Sequence, residues 1–132
     1  MKKDKEKKKK REKKVQQVAA QAERALFPKD ASSEPLEYAL SIVGGKWKIR
    51  ILWALRGGED LRYGAIKQQI PSITDMMLSQ SLRELTASGM IVRRQFQQIP
   101  PKVEYRITQN GLDLIPSLEQ MYEWGLRQMK EE

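Results

Sequence analysis

The spacing of apolar residues changes after Gly89, and this change restricts the fold more than any other feature of the chain. Before Gly89, apolar residues recur every three or four positions within segments that Gly and Pro separate, which is the spacing of amphipathic helices. After it, residues 90–96 and 103–107 are rich in β-branched and aromatic side chains, and apolar and charged residues alternate over 103–107. The sequence therefore predicts a mainly α fold with one small β-hairpin.

Two helices are predicted at the start of the globular part. The first begins at Pro35, with Ser33 as its cap, and ends at Gly44-Gly45, where glycine permits a left-handed exit. The segment 46–56 is apolar around most of its circumference. It is therefore expected to be the central helix of the core.

Two further helices are joined by a tight turn. Residues 61–70 form the first of them, Pro71 and Ser72 turn the chain, and Thr74 caps a helix that runs to Ser88. Two helices connected in this way are typical of a helix-turn-helix, and a hairpin after them gives the order of elements of a winged helix. The sequence therefore predicts a winged helix-turn-helix whose fourth helix enters the major groove of DNA.

The fourth helix has a polar side suited to reading bases. With Leu78 facing the core, steps of about 100° per residue place four residues on the opposite side and Ser79 at its edge; the four are Met76, Gln80, Arg83 and Ala87. Arginine binds guanine or phosphate, glutamine pairs with adenine, and methionine packs on the thymine methyl group. The alternative is that this side is an ordinary solvated helix face.

Basic residues of the hairpin are candidates for phosphate contacts. The hairpin holds four basic residues against a single acid, Glu104, and the adjacent Arg93 and Arg94 face opposite sides of a strand, so at most one faces DNA. Pro100-Pro101 would hold the tip extended and preorganise Lys102. The plain alternative is that the prolines block edge pairing and the charges keep the hairpin soluble. The complete set of predicted DNA-binding residues is Lys46, Arg62, Thr74, Met76, Ser79, Gln80, Arg83, Arg93, Arg94 and Lys102.

The C-terminal segment predicts a long helix that Thr108 caps. Its apolar residues form one stripe, for which packing within the chain and a dimer interface are both open explanations. Tyr122 and Trp124 near the chain end favour an interface, because they would otherwise remain in water. The predicted dimerisation residues, which include two from an amphipathic helix over 15–27, are Val18, Ala22, Leu112, Ile115, Leu118, Tyr122 and Leu126.

The basic charge is concentrated at the N-terminus. Residues 1–14 hold ten Lys or Arg and three Asp or Glu, so they carry +7 of the net charge of +8. This segment has no apolar residue after Met1, which predicts a disordered Lys-rich tail. The chain is accordingly divided into that tail, an N-terminal amphipathic helix and linker over 15–34, and a winged-helix domain over 35–132.

The residue types that are missing exclude several classes of function. The chain has no Cys and no His, which removes thiol nucleophiles, imidazole bases, disulfides and the usual zinc ligands. Gly44-Gly45-Lys46 lacks the remainder of a phosphate-binding loop, and Glu59-Asp60 has no partner base. No apolar run is long enough to span a membrane. We therefore expect a cytoplasmic, non-enzymatic protein without a cofactor or a metal ion.

Several motifs together resemble one family of regulators. They occur in order over residues 35–125 and are GGKWKIRILWAL, LRYGAIKQQIPSIT, MLSQSLREL, SGMIVRR, IPPKVEYRIT and EWG. They closely resemble the HxlR-type branch of bacterial winged-helix transcription regulators, which is related to the MarR type. The resemblance implies a sequence-specific regulator that forms a homodimer through its terminal helices and binds an inverted-repeat operator in double-stranded DNA. It matches Gly45-Lys46-Trp47 to the GGKW signature, Arg83 to a basic residue of the recognition helix, and Pro100, Pro101, Glu104 and Tyr105 to the wing.

Two positions depart from the family pattern. Members that sense electrophiles or oxidants carry a cysteine immediately before the proline that matches Pro35, whereas this chain has Glu34. A lysine that is common in the recognition helix is replaced by Met76, which removes a contact with phosphate or guanine.

The sequence leaves one alternative function and the effector open. The alternative is a non-catalytic winged-helix module that contacts RNA or protein, with non-specific nucleic-acid affinity supplied by the Lys-rich tail. The identity of any small-molecule effector is unknown, and Trp47, Trp53 and Tyr63 line either a ligand pocket or the core.

Overall fold

The computed structural model describes residues 2–23 and 28–131, and for residues 14–23 it describes the backbone alone. This part of the chain contains six helices and three short strands. In chain order the elements are α1 (Lys2–Glu23), α2 (Glu34–Val43), α3 (Lys48–Ala54), β1 (Leu61–Arg62), α4 (Tyr63–Gln68), α5 (Asp75–Ala87), β2 (Ile91–Phe96), β3 (Lys102–Ile107) and α6 (Gln109–Glu131).

The strands form one antiparallel sheet in the order β1-β3-β2. β2 and β3 are the predicted hairpin, with Ile91 opposite Ile107 at its base. Leu61 and Arg62 form β1 against β3, where the sequence predicted the start of the third helix. That prediction was wrong at this end because the backbone of these two residues pairs with a strand far away in sequence. α4 begins only at Tyr63.

The core lies between α3, α4, α5, α6 and the base of the sheet. Its central members come from the segments that the sequence predicted to be buried, so α3 is confirmed as the central helix. Replacing one such residue with Ala typically costs about 2–5 kcal/mol, so the core is a rigid support for the exposed side of α5. The largest fully buried side chains are Ile51, Leu52, Leu55, Ile66, Leu78, Leu82, Leu85 and Ile91.

Two of the predicted helix caps have different outcomes. Thr74 Oγ1 accepts a hydrogen bond from the backbone N–H of Met77 at 3.1 Å, so Thr74 caps α5 as predicted. Ser33 gives α2 no side-chain cap, because its backbone already has helical angles. Instead, the hydroxyl of Ser32 accepts a hydrogen bond from the N–H of Glu34 at 3.1 Å.

The start of α6 is attached to the start of β2. The hydroxyl of Thr108 accepts a hydrogen bond from the N–H of Gly111 at 3.1 Å, which confirms the predicted cap. The same hydroxyl donates to the carbonyl oxygen of Gly89 at 2.7 Å. One side chain therefore connects the C-terminal helix to the base of the hairpin.

The N-terminal segment is helical, whereas the sequence predicted a disordered tail over 1–14. α1 is continuous over Lys2–Glu23, and the side chains of residues 2–13 are all exposed. Lys, Arg, Glu, Gln and Ala are strong helix formers, and acidic residues four positions from lysines support the helix. The prediction of disorder came from composition and did not consider helix propensity, which accounts for the difference. Val18 and Ala22 have side chains outside the described part, so their predicted role in dimerisation stays a prediction.

Candidate nucleic-acid interface

One side of α5 is buried and the opposite side is free. Leu78, Ser81, Leu82 and Leu85 face the core. Met76, Gln80, Arg83 and Ala87 are exposed, and Ser79 lies half-buried at the edge, which is the arrangement that the helical spacing predicted. Met76 is 72% exposed although it is apolar, so it contributes little to packing among the described residues.

A polar cluster holds the N-terminus of α5 against α4. The hydroxyl of Tyr63 donates to Asp75 Oδ1 at 2.9 Å, and Lys67 Nζ lies 2.7 Å from the same oxygen. The hydrogen bond from Lys67, followed by that from Tyr63, holds the pKa of Asp75 below its ordinary value. Tyr63 Oη is also 3.5 Å from the hydroxyl of Ser79. Sequence reasoning treated Tyr63 as a core or pocket residue and missed this cluster, which fixes how α5 begins.

A second cluster lies on the other flank of α5. Lys48 Nζ is 2.9 Å from Glu84 Oε2, and the amide nitrogen of Gln80 donates to Glu84 Oε1 at 3.3 Å. The hydrogen bond from Lys48 is the main reason that the pKa of Glu84 lies below its ordinary value. Lys48 thus compensates the negative charge that Glu84 brings to this surface. Gln80 must leave Glu84 before its amide can pair with a base.

Acidic partners bind the basic residues on one face of the wing. Arg106 donates two hydrogen bonds to Asp60, from Nε at 2.9 Å and from Nη2 at 2.7 Å. Arg94 Nη1 lies 3.9 Å from the same carboxylate, and Lys102 Nζ lies 2.8 Å from Glu104. Glu104 is the one acid within the hairpin, and the loop before β1 brings in Asp60 as a second.

The opposite face of the wing carries Arg93. The sheet register places Arg93 opposite Tyr105 and Arg94 opposite Glu104, so the two arginines face opposite sides as predicted. Arg93 is exposed, and its guanidinium donates to the side chain of Gln95 at 3.3 Å.

Four predicted DNA-binding residues remain without an ion-pair partner among the residues that the structure describes. These are exposed cations that form no direct ion pair with a described carboxylate, and Lys46 Nζ instead lies 4.7 Å from the centre of the Trp47 ring. They are better placed to bind phosphate than Arg94 and Lys102. The four residues are Lys46, Arg62, Arg83 and Arg93.

The apolar stripe of α6 divides into a buried half and an exposed half. Ile115 and Leu118 are only 8% and 5% exposed and belong to the core of their own chain, and Leu112 packs against that core. Ile115 and Leu118 therefore pack within their own chain, which corrects their assignment to a dimer interface, whereas the dimerisation role predicted for the half-buried Leu112 stays a prediction. Tyr122 and Leu126 are 53% and 39% exposed.

Further apolar side chains are exposed on α2 and α6. Leu36 and Leu40 of α2 are exposed, and only Val43 of that helix is buried. Helical spacing contains no signal for what covers an apolar side. The exposed large apolar side chains of these two helices, named here together the α2–α6 surface, are Leu36, Tyr38, Leu40, Met121, Tyr122, Trp124, Leu126 and Met129.

Other kinds of site receive no support within 2–23 and 28–131. No group of three or more acidic residues in these ranges lies close enough to hold a metal ion. No helix there is both long and apolar enough to cross a membrane.

Known proteins share this geometry. The family model described as HxlR-like helix-turn-helix matches residues 42–132. The HTH-type transcriptional regulator YdzF of Bacillus subtilis (strain 168) is 45% identical over 94 residues, which are 71% of this chain and 86% of that protein. The structure of the redox regulator HypR in its oxidised form is 42% identical with a TM-score of 0.66, over 70% of this chain and 95% of that one. A MarR-family regulator of Enterococcus faecalis V583 is 29% identical with a TM-score of 0.66, over 81% of this chain and 96% of that one.

The order of elements, the free side of α5 and these similarities define a winged helix-turn-helix protein. Within that class, the chain belongs to the HxlR-like helix-turn-helix family. It is a DNA-binding transcriptional regulator and not an enzyme, as the sequence predicted.

Proposed function

We propose that the protein binds an inverted-repeat operator as a homodimer and regulates transcription by sequence-specific recognition. The observation that carries the proposal is the exposed polar side of α5, which stands on a buried apolar side and is fixed at its start by the Asp75 cluster. A helix held in this way enters the major groove as a rigid unit. A target on chromosomal DNA implies that the protein acts in the cytoplasm.

The side chains of α5 have distinct proposed roles. Arg83 donates to guanine, Gln80 pairs with adenine, and Met76 packs on a thymine methyl group. Ser79 and Thr74 lie where the helix begins and approach the adjacent phosphates through their hydroxyls.

The cations that have no acidic partner are the first candidates for phosphate contacts. Lys46, Arg62 and Arg93 are exposed and make no ion pair with a described residue, so they bind phosphate without first breaking one. Arg94 and Lys102 must exchange a carboxylate for a phosphate, which reduces their net contribution.

The α2–α6 surface supports the homodimer. Eight large apolar side chains are exposed on these two helices, and exposed apolar surface that joins into a patch usually marks an interaction site. A symmetric dimer buries the same surface on both subunits and places two copies of α5 about 34 Å apart, one turn of DNA. Sedimentation at micromolar concentration should show a dimer, and Leu40→Glu together with Trp124→Glu should give a folded monomer. A wild-type monomer under these conditions would contradict the proposal.

Selection of bound duplexes from a random pool tests the operator. The purified full-length protein should enrich two half-sites of opposite orientation, with centres separated by about one helical turn. The selection is repeated with residues 2–13 deleted, which removes most of the Lys-rich charge and leaves the domain intact. Enrichment of no sequence by either protein would contradict sequence-specific recognition. Tighter binding to structured RNA than to the selected duplex would instead support the RNA-binding alternative.

A further inference from the structure

The Lys-rich part of α1 has no role in the function proposed above. It lies outside residues 42–132, which the HxlR-like family model matches, so membership of the family assigns nothing to it. Residues 2–13 hold nine Lys or Arg and three Asp or Glu, a net charge of +6, and their side chains are all exposed. No charged group of this segment forms an ion pair with a described residue. Its positive charge is therefore available to a partner.

The charges are distributed unevenly around α1. At about 100° per residue, Lys3, Lys7 and Lys10 fall within one sector of about 60°. The acidic residues of this segment all lie outside that sector, and they are Asp4, Glu6 and Glu12. The other sides of the helix over residues 2–13 mix both signs. The three lysines are named here the basic face of α1.

The spacing of the basic face matches a dense row of negative charges. Lys3 and Lys7 are separated by about 6 Å along the helix axis, and Lys7 and Lys10 by about 4.5 Å, at 1.5 Å per residue. Duplex DNA carries one negative charge per about 1.7 Å of its axis, so the face meets several phosphates at once. A lysine ammonium binds phosphate as a point charge, without the fixed geometry of a bidentate contact. Such a face binds the backbone of any DNA sequence.

An anionic membrane is the other extended polyanion that this face could meet. Helices that lie in a membrane interface bury an apolar face beside their basic one. No residue over 2–13 is apolar, so this part of α1 has no side chain to insert into lipid. The domain on the same chain is DNA-binding. The composition of α1 and the attached domain therefore both favour DNA.

We propose that the basic face of α1 binds phosphates of duplex DNA beside the base pairs that α5 and the wing cover. Those two elements occupy the phosphates at each half-site, so the free phosphates lie in the flanking duplex. Ten residues separate Glu23 from Glu34, and a chain of that length reaches at most about 35 Å, or one turn of DNA. The position beside the operator rests on the proposed function, whereas the binding of duplex phosphate by α1 does not.

The length of the duplex tests the position of the contact. Fluorescence anisotropy compares a selected operator that ends at its outermost specified base pairs with the same operator extended by about ten random base pairs, one helical turn, on each side. The full-length protein should bind the extended duplex about tenfold more tightly. The protein without residues 2–13 should bind both duplexes alike. An equal gain with length in the two proteins, or no gain in either, would overturn the proposal.

Two triple variants test the basic face itself. The test variant combines Lys3→Gln, Lys7→Gln and Lys10→Gln. The control combines Lys5→Gln, Lys8→Gln and Lys9→Gln, which removes the same charge from the mixed sides of α1. On the extended duplex, the test variant should reduce the slope of log affinity against log salt concentration by about 2 to 3, since each phosphate contact contributes about 0.9. The control should reduce it by less than half as much, and equal reductions would overturn the proposal.

Vesicles and random duplexes complete the experiment. Binding of the full-length protein to phosphatidylserine vesicles that is tighter than binding to the extended duplex, and that is lost when residues 2–13 are deleted, would overturn the choice of DNA. If the selection enriches no operator, the proposed function fails. The role of α1 is then still tested on random duplex, where the test variant should lose more affinity than the control, and equal losses there would overturn it.

Discussion

The junction between β2 and α6 leaves no room for a side chain at Gly111. An added Cβ would lie 2.5 Å from Cγ1 of Ile107 and in still closer contact with the carbonyl oxygen of Met90. That oxygen cannot move freely, because it already accepts a hydrogen bond of 3.0 Å from the backbone N–H of Thr108. Gly111→Ala must therefore push the first turn of α6 away from the hairpin.

The cost can be worked out against a matched control. Forcing an extra carbon into a packed site typically costs about 1–3 kcal/mol. Gly125 lies in the same helix, but nothing lies within 4 Å of a Cβ added there, so Gly125→Ala should show only the gain in helix propensity, about 0.5–1 kcal/mol. We expect Gly111→Ala to lower the free energy of unfolding by about 1–3 kcal/mol and Gly125→Ala to raise it.

Urea unfolding followed by circular dichroism measures both variants. All samples need the same protein concentration, because the stability of a dimer depends on concentration. A free energy of unfolding for Gly111→Ala equal to or above that of Gly125→Ala would contradict the expected clash at Gly111. It would mean that the start of α6 shifts without loss, and that the contact with Met90 does not fix this helix.

Three further predictions concern charge. The pKa of Asp75 in the folded protein lies below its ordinary 3.8, so its contribution to stability is present above that pH and is lost as the pH falls through the folded pKa. Asp75→Asn should therefore lower the free energy of unfolding, measured with urea, at about pH 7 and change it little at about pH 2. Equal effects at both pH values would count against the contact with Lys67. Asp60→Asn releases Arg106 and Arg94, so the affinity for random duplex should rise. The salt dependence of that affinity should steepen by about one to two phosphate contacts, at a slope of about −0.9 each. Filter binding at several salt concentrations would detect this change, and an unchanged slope would show that the wing does not reach the DNA backbone. Deleting residues 2–13, whose side chains are all exposed, should flatten the salt dependence on operator and random duplex alike, so that an altered ratio of the two affinities would indicate a role in specificity.

The sequence predicted the parts of the fold that depend on local spacing. In α5, Leu78 and Leu82 are buried and Gln80 and Arg83 are exposed, because a helix repeats every 3.6 residues whatever surrounds it. The Thr74 cap likewise depends on a contact only three residues along the chain.

Features that depend on distant partners escaped prediction. Asp60 and Arg106 are separated by 46 positions, and neither position shows a pattern that indicates the other. β1 is two residues long and exists because β3 lies beside it.

The apolar stripe of α6 shows a different limit. Leu118 and Tyr122 occupy the same side of the helix, yet one lies in the core and the other is half exposed. Helical spacing fixes the direction of a side chain but not whether its own chain or a second copy covers it.

Base reading by the exposed side of α5 is tested with the variant Arg83→Ala. Its affinity is measured for the selected operator and for single-base variants of that operator. Arg93→Ala, which removes an exposed cation from the wing, is the control. Arg83→Ala is expected to lose about 1–3 kcal/mol of binding free energy on the operator and to lose discrimination at one base pair of each half-site. Arg93→Ala is expected to weaken binding to all duplexes alike. An equal loss of affinity for every sequence with Arg83→Ala would contradict base reading by α5, because Arg83 would then bind only phosphate.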